Sequence, residues 1–284
     1  MPSEQLLAEP TTLTFDPPVD ALKVRLVSGN VNVVGSPDPG ARLEVTALEG
    51  PPLRVALADG TLTVAYEDLP WQGFLKWLDR KGWKRHAVVS LVVPAGTRVE
   101  LGVVDATAVV SGIAAPIAVQ GVSGDTTVVG ISGPVRADTV SGRLEAQAVS
   151  GELRFNSVSG ELTVVDGGSP RVRADSVSGD MVVDLVPAAR SAEVTLTSVS
   201  GDAALRLPEA ADLEVEAHTA SGAVSCAFES LRIAGQWGAK RVSGRIGQGK
   251  GRVRMNTVSG AVALLRRPPQ DGPEPTVPGH EKVL

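Results

Sequence analysis

Residues 139–161 read TVSGRLEAQAVSGELRFNSVSGE, and three Ser-Gly steps recur in this stretch at intervals of nine residues. From Ser159 onward, the serines of most later steps recur at intervals of 19 to 22 residues, about twice the shorter interval. A fixed period of this size indicates a repeat architecture, in which each unit buries its apolar face only against its neighbours. The repeat therefore predicts a solenoid.

The residues after each Ser-Gly step alternate between apolar and polar, as Leu153 and Phe155 do after Gly151. Such alternation is typical of β-strands, because successive side chains of a strand point to opposite faces. The composition agrees, since 31 Gly and 20 Pro would interrupt long helices repeatedly. We predict an all-β chain that forms a single-chain β-solenoid (β-helix) with coils of about 18–22 residues.

Glycine suits the corners of such a coil, because it tolerates a positive φ and lets neighbouring coils approach closely. Stacking the coils in sequence order predicts a serine ladder, with a second hydroxyl column beside it at Ser157, Ser176, Ser198 and Thr219. The ladder serines are Ser159, Ser178, Ser200, Ser221 and Ser243. The valines that precede such serines are predicted to point into the core, and they are Val158, Val177, Val199, Val242 and Val258.

The chain divides into four predicted regions. Residues 1–20 form an N-terminal segment with little pattern, and residues 21–109 form an irregular β start of the solenoid with a helical insertion at 70–85. Residues 110–265 form the regular Ser-Gly repeat, and the Pro-rich residues 266–284 are predicted to be a disordered tail because they have no apolar period.

The insertion is predicted to be one amphipathic helix, because its large apolar residues recur at helical spacing. Two interpretations are open. The helix covers the solenoid core, as stacked repeats require a cap, or it lies among the headgroups of an anionic membrane. The residues concerned are Trp71, Phe74, Leu75, Trp77 and Leu78 on the apolar side, with the basic residues Lys76, Arg80 and Lys84.

The sequences SVSGE at 157–161 and SVSGD at 176–180 resemble the Ser-Val-Ser-Gly repeats of a bacterial family of β-strand-repeat proteins of unknown function, named "putative adhesin". The resemblance covers residues 12–265 and includes Val-Ser-Gly-Asn at 27–30. It implies the β-repeat fold and, from the family's name, surface adhesion. It carries no catalytic residue over to this chain.

Charge and cysteine content exclude several classes of protein. The net charge of -5 disfavours binding to a nucleic-acid backbone, which requires an excess of Lys and Arg. The single cysteine, Cys226, excludes an internal disulfide framework and a CxxC metal site. We therefore expect no cofactor, no metal and no nucleic acid. The N-terminus has no basic, apolar leader pattern, which predicts a cytoplasmic protein, with peripheral membrane contact as the alternative.

Acidic residues follow the corner glycines and are the candidate binding residues. Stacked carboxylates repel one another, so Glu161, Asp180 and Asp202 could recruit a cation or a cationic partner. The simpler interpretation is a solvated surface that keeps the solenoid soluble. A second polar column is predicted beside them, and a carbohydrate-binding or carbohydrate-cleaving groove would use such residues. That column contains Asp138, Asn156, Asp175, Thr197, His218, Lys240 and Asn256.

These observations predict a non-enzymatic β-solenoid scaffold that binds a protein partner or associates with itself. No set of catalytic residues converges in the pattern, because His86, His218 and His280 lie far apart in the sequence. The outward residues of the last coils are small and uncharged, which favours a covered surface there. The alternatives are a membrane-associated envelope-stress or regulatory module that uses the Trp-rich helix, and a polysaccharide-binding or polysaccharide-cleaving β-helix.

Overall fold

The computed structural model describes residues 3–66, 85–236 and 238–268, and these form 24 β-strands, numbered β1–β24 in chain order, and one short 3-10 turn at Pro187–Ala189. The strands lie on two faces of a flattened coil, and corners join one face to the other. The long strands β3 (Ala21–Ser36) and β8 (Arg98–Ser111) contribute one half to each face. The chain is therefore all-β over its described residues.

The face that we call face 1 begins with strands from the N-terminal part of the chain and ends with strands from the C-terminal part. In spatial order its strands are β1 Ser3–Leu7, β5 Leu53–Ala58, β6 Thr61–Tyr66, the first half of β3, the first half of β8, β9 Ile117–Gly121, β11 Val135–Thr139, β13 Leu153–Ser157, β15 Arg171–Asp175, β17 Glu193–Thr197, β23 Gly251–Thr257, β19 Leu213–Thr219, β22 Ala239–Ile246 and β21 Leu231–Gln236.

The opposite face, face 2, also begins with strands from the N-terminal part of the chain and ends with strands from the C-terminal part. In spatial order its strands are β2 Thr11–Phe15, β4 Ala41–Glu49, β7 His86–Pro94, the second half of β3, the second half of β8, β10 Thr126–Val129, β12 Leu144–Gln147, β14 Leu162–Gly167, β16 Met181–Leu185, β18 Ala203–Leu207, β24 Val262–Arg266 and β20 Val224–Cys226.

The coils from residue 117 to residue 207 stack in sequence order with parallel pairing. Ile117 pairs with Val135, 18 residues later. Leu153 pairs with Val172, 19 residues later, and Arg171 pairs with Glu193, 22 residues later. These offsets agree with the coil length that the repeat predicts.

Inward side chains of successive coils stack in rows and form one continuous core. Leu162, Met181 and Ala203 occupy the same position on three neighbouring coils and are fully buried. Each buried Leu, Met or Val stabilises the fold by about 1.5–3 kcal/mol relative to exposure, before conformational entropy is subtracted. The core therefore depends on contact between coils rather than within one coil.

The corner glycines are required by the distance between coils. A Cβ on Gly179 would overlap the carbonyl oxygen of Gly160 on the preceding coil, and the same relation holds between Gly160 and Gly142. None of these three glycines is among the residues with a positive φ. The predicted close approach is therefore present at these corners, whereas the predicted positive φ is wrong for them.

The C-terminal coils do not stack in sequence order. Strand β23 pairs with β17 on one side and with β19 on the other, and β24 likewise lies between β18 and β20. Residues 251–266, which we call the inserted coil, therefore separate two coils that precede it in the sequence. The antiparallel hairpin of β21 and β22 pairs with β19 beyond them. The expectation that Ser200, Ser221 and Ser243 stack directly on one another is wrong.

The N-terminal part extends both faces with antiparallel strands. On face 1, β5 pairs with β1 and β6, and on face 2, β4 pairs with β2 and β7. Residues 3–15 thus contain two strands, although the sequence shows little pattern there. The apolar residues of these strands are few, and only Leu7 and Phe15 are buried. Edge strands that bury a single side chain carry a weak alternation signal.

The end of the described chain is held by a cluster of ion pairs on face 2. Arg267 forms ion pairs with Asp166 and with Asp184, and the oxygen–nitrogen distance to Asp184 is 3.1 Å. Arg206 binds the same Asp184 carboxylate, with its Nε 2.8 Å from Oδ1. Asp184 is almost fully buried. The chain is therefore anchored one residue beyond β24, inside the segment that the sequence predicts to be a disordered tail.

Candidate functional site

The Ser/Thr-Val-Ser-Gly corner is a local hydrogen-bonding unit. The hydroxyl of its first residue accepts the N–H of the glycine, with distances of 2.6 Å at Ser157 and 2.9 Å at Ser176. The hydroxyl of its third residue donates to a carbonyl on the preceding coil, as Ser178 does to Val158 at 3.3 Å. Both predicted hydroxyl columns therefore bond mainly to the backbone, and they fix the corner and the distance between coils.

The second residue of the corner points outward. We define the valine ladder as Val158, Val177, Val199 and Val258, whose exposed fractions are 51%, 49%, 49% and 51%. The prediction that these valines enter the core is wrong. The hydroxyl residue before each valine turns inward to reach the glycine N–H, so the alternation of the strand places the valine outside.

The valine ladder is continuous through the rearranged end. The Val177 N–H donates to Val158, the Val199 N–H to Val177 and the Val258 N–H to Val199, at 3.1 to 3.2 Å. Ala220 continues the row by donating to Val258. Val242, the remaining valine of the predicted set, lies in the antiparallel strand β22 and is buried. The ladder is thus an apolar row on a rigid backbone.

The acidic column after the corner glycines is used for structure. The Arg143 guanidinium lies 2.8 Å from Glu161. The Asp180 carboxylate accepts the backbone N–H of Asp202 at 2.8 Å, and Asp202 accepts that of Ala261 at 2.7 Å. Each carboxylate therefore holds a group of the neighbouring coil. Ala261 of the inserted coil follows Asp202 in this column.

The second polar column lies on face 1, away from the acidic corner column. Asp175 pairs in register with Thr197, which pairs with Asn256, which pairs with His218. The neighbour of His218 in the next strand is Arg241, rather than the predicted Lys240. The five candidate binding residues are therefore divided between two surfaces, with Glu161, Asp180 and Asp202 at the corner and Asp175 and His218 on face 1.

Face 1 also carries a column of arginines that the sequence analysis did not single out. Arg136 pairs in register with Arg154, and Arg154 with Arg173. Arg136 and Arg173 bind the carboxylates two residues later, with Nε–oxygen distances of 2.7 Å to Asp138 and 2.8 Å to Asp175. The signal was present in the sequence, because these arginines recur at 18 and 19 residues, the length of one coil.

Carboxylates on face 1 hold two of its arginines more firmly in their charged forms. The hydrogen bond to Asp175, and then its charge, raise the pKa of Arg173. The hydrogen bond to Glu193 and the charges of Glu152 and Glu193 raise the pKa of Arg171. Over the described residues, no group of three His, Cys, Asp or Glu side chains is placed to hold a metal ion.

The Trp-rich insertion falls almost wholly outside the described residues, since 67–84 are not among them. The membrane and capping interpretations of Trp71, Phe74, Leu75, Lys76, Trp77, Leu78, Arg80 and Lys84 therefore stay predictions. In the described ranges, no helix has the length and hydropathy needed to cross a bilayer.

The model of the Toastrack DUF4097 family matches residues 13–265, so the chain belongs to that family. The finer identification with the Ser-Val-Ser-Gly repeat family stays a prediction. None of the curated proteins matches the chain.

Two solved structures are similar to the chain. A "putative cell adhesion protein" from Clostridium sporogenes has 11% identity and a TM-score of 0.32, over 91% of this chain and 100% of that one. A "putative lipid binding protein" from Parabacteroides distasonis has 13% identity and a TM-score of 0.38, over 92% of this chain and 98% of that one. At these TM-scores the likenesses carry no argument about function, which we take from the chain's own residues.

Proposed function

We propose that this member of the Toastrack DUF4097 family is a non-enzymatic β-solenoid scaffold that associates with a protein partner, a second copy of the chain, through its valine ladder. One observation carries the proposal. The four half-exposed valines lie in an unbroken row, in which neighbouring valines are separated by the strand spacing of ~4.8 Å. Large side chains exposed in a row, rather than singly, mark interaction surfaces.

The geometry of the ladder supports association at low conformational cost. Each valine has one strongly preferred rotamer and a backbone fixed by hydrogen bonds to the next coil, so little entropy is lost on contact. Covering the exposed halves of the four valines contributes about 3–6 kcal/mol, which needs support from surrounding contacts to give a stable dimer. Weak, concentration-dependent association is therefore the expected behaviour.

The corner carboxylates support the non-enzymatic part of the proposal. Asp180 and Asp202 accept backbone N–H groups of the neighbouring coil, which gives them a structural task. A general acid and base would instead be held at a defined separation facing a substrate. The cytoplasmic location, with peripheral membrane contact as the alternative, belongs to the same proposal.

Sedimentation velocity over a concentration series tests the association. We expect the wild type to gain mass with concentration and a Val177→Glu, Val199→Glu double variant to stay monomeric, because charges cannot be buried in the contact without large cost. Val182→Glu is the matched control, because Val182 is 46% exposed but lies in strand β16 on face 2. A wild type that stays monomeric throughout, or a control that also dissociates, contradicts the proposal.

A further inference from the structure

A shallow trough of about 500 Å³ runs along the stacking direction on face 1, across coils that begin at β8 and end at β15. Its lining includes small or cyclic side chains, among them Pro116, Ala118 and Pro134. Two glutamates, Glu100 and Glu152, are the only acids among its lining residues. Five arginines line it: Arg98, Arg136, Arg154, Arg171 and Arg173.

The coil of Arg154 lacks the acid that the coils on either side of it have. Arg136 and Arg173 each bind an aspartate two residues later, whereas Arg154 is followed two residues later by Asn156. The amide of Asn156 donates to Asp138 at 2.6 Å, so it is turned toward the neighbouring coil. Arg154 is exposed and makes no side-chain hydrogen bond or ion pair with any described residue.

The side chain of Arg98, on another coil of the trough, also makes no hydrogen bond or ion pair with a described residue. Arg98 and Arg154 therefore present guanidinium groups without a bound carboxylate from the described part of the chain, while Arg136 and Arg173 lie on either side of Arg154 in the same column. The positive charge is thus arranged in a line rather than at one point.

The geometry points to a site for a linear acidic polysaccharide that lies along the stacking direction with its carboxylates on Arg98 and Arg154, the two trough arginines that bind no described aspartate or glutamate. A guanidinium binds a carboxylate through two parallel hydrogen bonds. Arg98 in β8 and Arg154 in β13 are three strands apart, about 14 Å along the stacking direction, which is close to the length of three sugar rings. The prolines and the alanine of the lining offer apolar surface to the faces of the rings.

An acidic peptide fits this site less well. Peptides commonly bind sheets by adding a strand to an open edge, but the strands under the trough pair with neighbours on both sides, as β11 does with β9 and β13. The chain's net charge of -5 likewise disfavours a nucleic acid. The site lies on face 1, away from the valine ladder at the corner, so it extends the proposed function to a second ligand.

Calorimetric titration with oligogalacturonate tests the site, and fully methyl-esterified oligogalacturonate is the neutral control ligand. We expect binding of the acidic oligomer alone. Arg154→Gln should weaken it about tenfold, the equivalent of one charge-assisted contact of about 1.4 kcal/mol. Because Arg154 has no described partner, this variant should keep the melting temperature of the wild type.

Two further variants separate the site from general attraction between charges. Asn156→Asp supplies the missing carboxylate to Arg154 without removing an arginine, and it should also weaken binding. Arg232→Gln is the matched control, because Arg232 is exposed, has no side-chain partner among the described residues and lies in β21, five strands beyond Arg173. It should leave the affinity unchanged.

The outcomes are decisive for this site. Absence of oligogalacturonate binding by the folded wild type overturns the proposal, and so does equal weakening by Arg154→Gln and Arg232→Gln. Tighter binding of polyphosphate or of phosphatidylglycerol vesicles, lost with Arg154→Gln, replaces the polysaccharide by a phosphate ligand and also overturns it. Shortening of the oligomer during titration would contradict the non-enzymatic proposal, but it would leave the binding site in place.

Discussion

The coils of residues 117–207 stack in the order of the sequence, whereas those of residues 213–266 do not. Both regions use the same corner, since Gly222, like Gly179, approaches a glycine carbonyl on its neighbour. The corner therefore specifies that coils stack, but it does not specify which coils are neighbours. A repeat period thus predicts coil length more securely than coil order.

The inserted coil lies between two others because its face 2 strand is longer and buries more apolar side chains than the strand at the end. Strand β24 has five residues and buries Val262 and Leu264, whereas β20 has three residues and leaves Val224 and Cys226 half-buried. A position with two neighbours buries more apolar surface than a position at the end. Strand β24, which buries more apolar surface, therefore occupies the inner position, and the shorter strand β20 lies at the end of face 2.

The largest expected effect comes from cross-linking, which tests the order of coils directly. In a Cys226→Ala background, Val199→Cys with Val258→Cys should oxidise to a disulfide, because adjacent strands lie ~4.8 Å apart, within disulfide range. Val199→Cys with Ala220→Cys should not cross-link, because Val258 lies between them. Non-reducing electrophoresis and thiol titration measure both pairs, and the reverse result would restore stacking in sequence order.

The glycine corners should respond differently in the two regions. Gly179→Ala forces a Cβ against the Gly160 carbonyl between two fixed coils, so we expect a loss of ~3 kcal/mol or more in unfolding free energy. Gly222→Ala makes a similar overlap with Gly260, but its coil lies at the end of face 2 and can shift, so a smaller loss of ~1–2 kcal/mol is expected.

Chemical denaturation measures both glycine variants. Gly96→Ala is the control, because a Cβ there meets nothing within 4 Å. Equal losses of unfolding free energy in Gly179→Ala and Gly222→Ala would show that the end coil is held as rigidly as the middle coils. That result would contradict a difference in rigidity between the two regions.

The ion-pair cluster joins the two regions, and its removal should have an intermediate effect. Arg267 follows the inserted coil, whereas Asp166 and Asp184 belong to coils stacked in sequence order. Arg267→Gln leaves part of the nearly buried Asp184 charge uncompensated, and we expect a loss of about 2 kcal/mol because Arg206 remains.

Thermal unfolding measures this loss, and Arg171→Gln is the control. Arg171 pairs with Glu152 and Glu193 on the exposed face 1, where such pairs contribute up to about 1 kcal/mol. A larger loss at Arg171 than at Arg267 would contradict the anchoring role of the cluster.

The smallest effect is a dependence on pH that is confined to the rearranged end. Partial burial raises the pKa of Asp212, but N–H groups of Lys250, Gln248 and Gly249 outweigh it and hold that pKa below its ordinary value of 3.8. The carboxylate's contribution is therefore fully present above 3.8 and is lost as pH falls through the lowered value.

Hydrogen exchange on acidification checks this prediction. Amides of β19 and β23, which flank the Asp212 contact, should lose protection below pH ~4 before amides of β13 and β15 do. Asp212→Asn should remove the difference in pH dependence between the two groups of strands. Simultaneous loss of protection in both groups would contradict a local role for Asp212.

Much of the fold could be predicted because the repeat has a strong period. The 18- and 19-residue offsets follow from the Ser-Gly period, and the inward positions of Leu153 and Phe155 follow from alternation. The outward valines could not be predicted from alternation, since a corner residue faces inward or outward according to where the adjacent hydroxyl bonds. At Val177 that choice depends on the Ser176 contact with the Gly179 N–H.

The candidate surfaces were predictable only in part. The acidic corner column was identified through Asp180 and Asp202, but their bonds to backbone N–H groups depend on the neighbouring coil. The arginine column was visible in the spacing of Arg136, Arg154 and Arg173. Its significance emerged only once Asn156 was seen to bond to Asp138 and not to Arg154.

The position of residues 251–266 also constrains how the molecule assembles during its synthesis. A ribosome delivers residues 213–246 before the coil that separates them from residues 193–207 exists. Before residues 251–266 are made, strand β19 lacks its parallel partner and β18 has one side open. A nascent chain without these residues would therefore expose two unpaired strand edges, which promote aggregation.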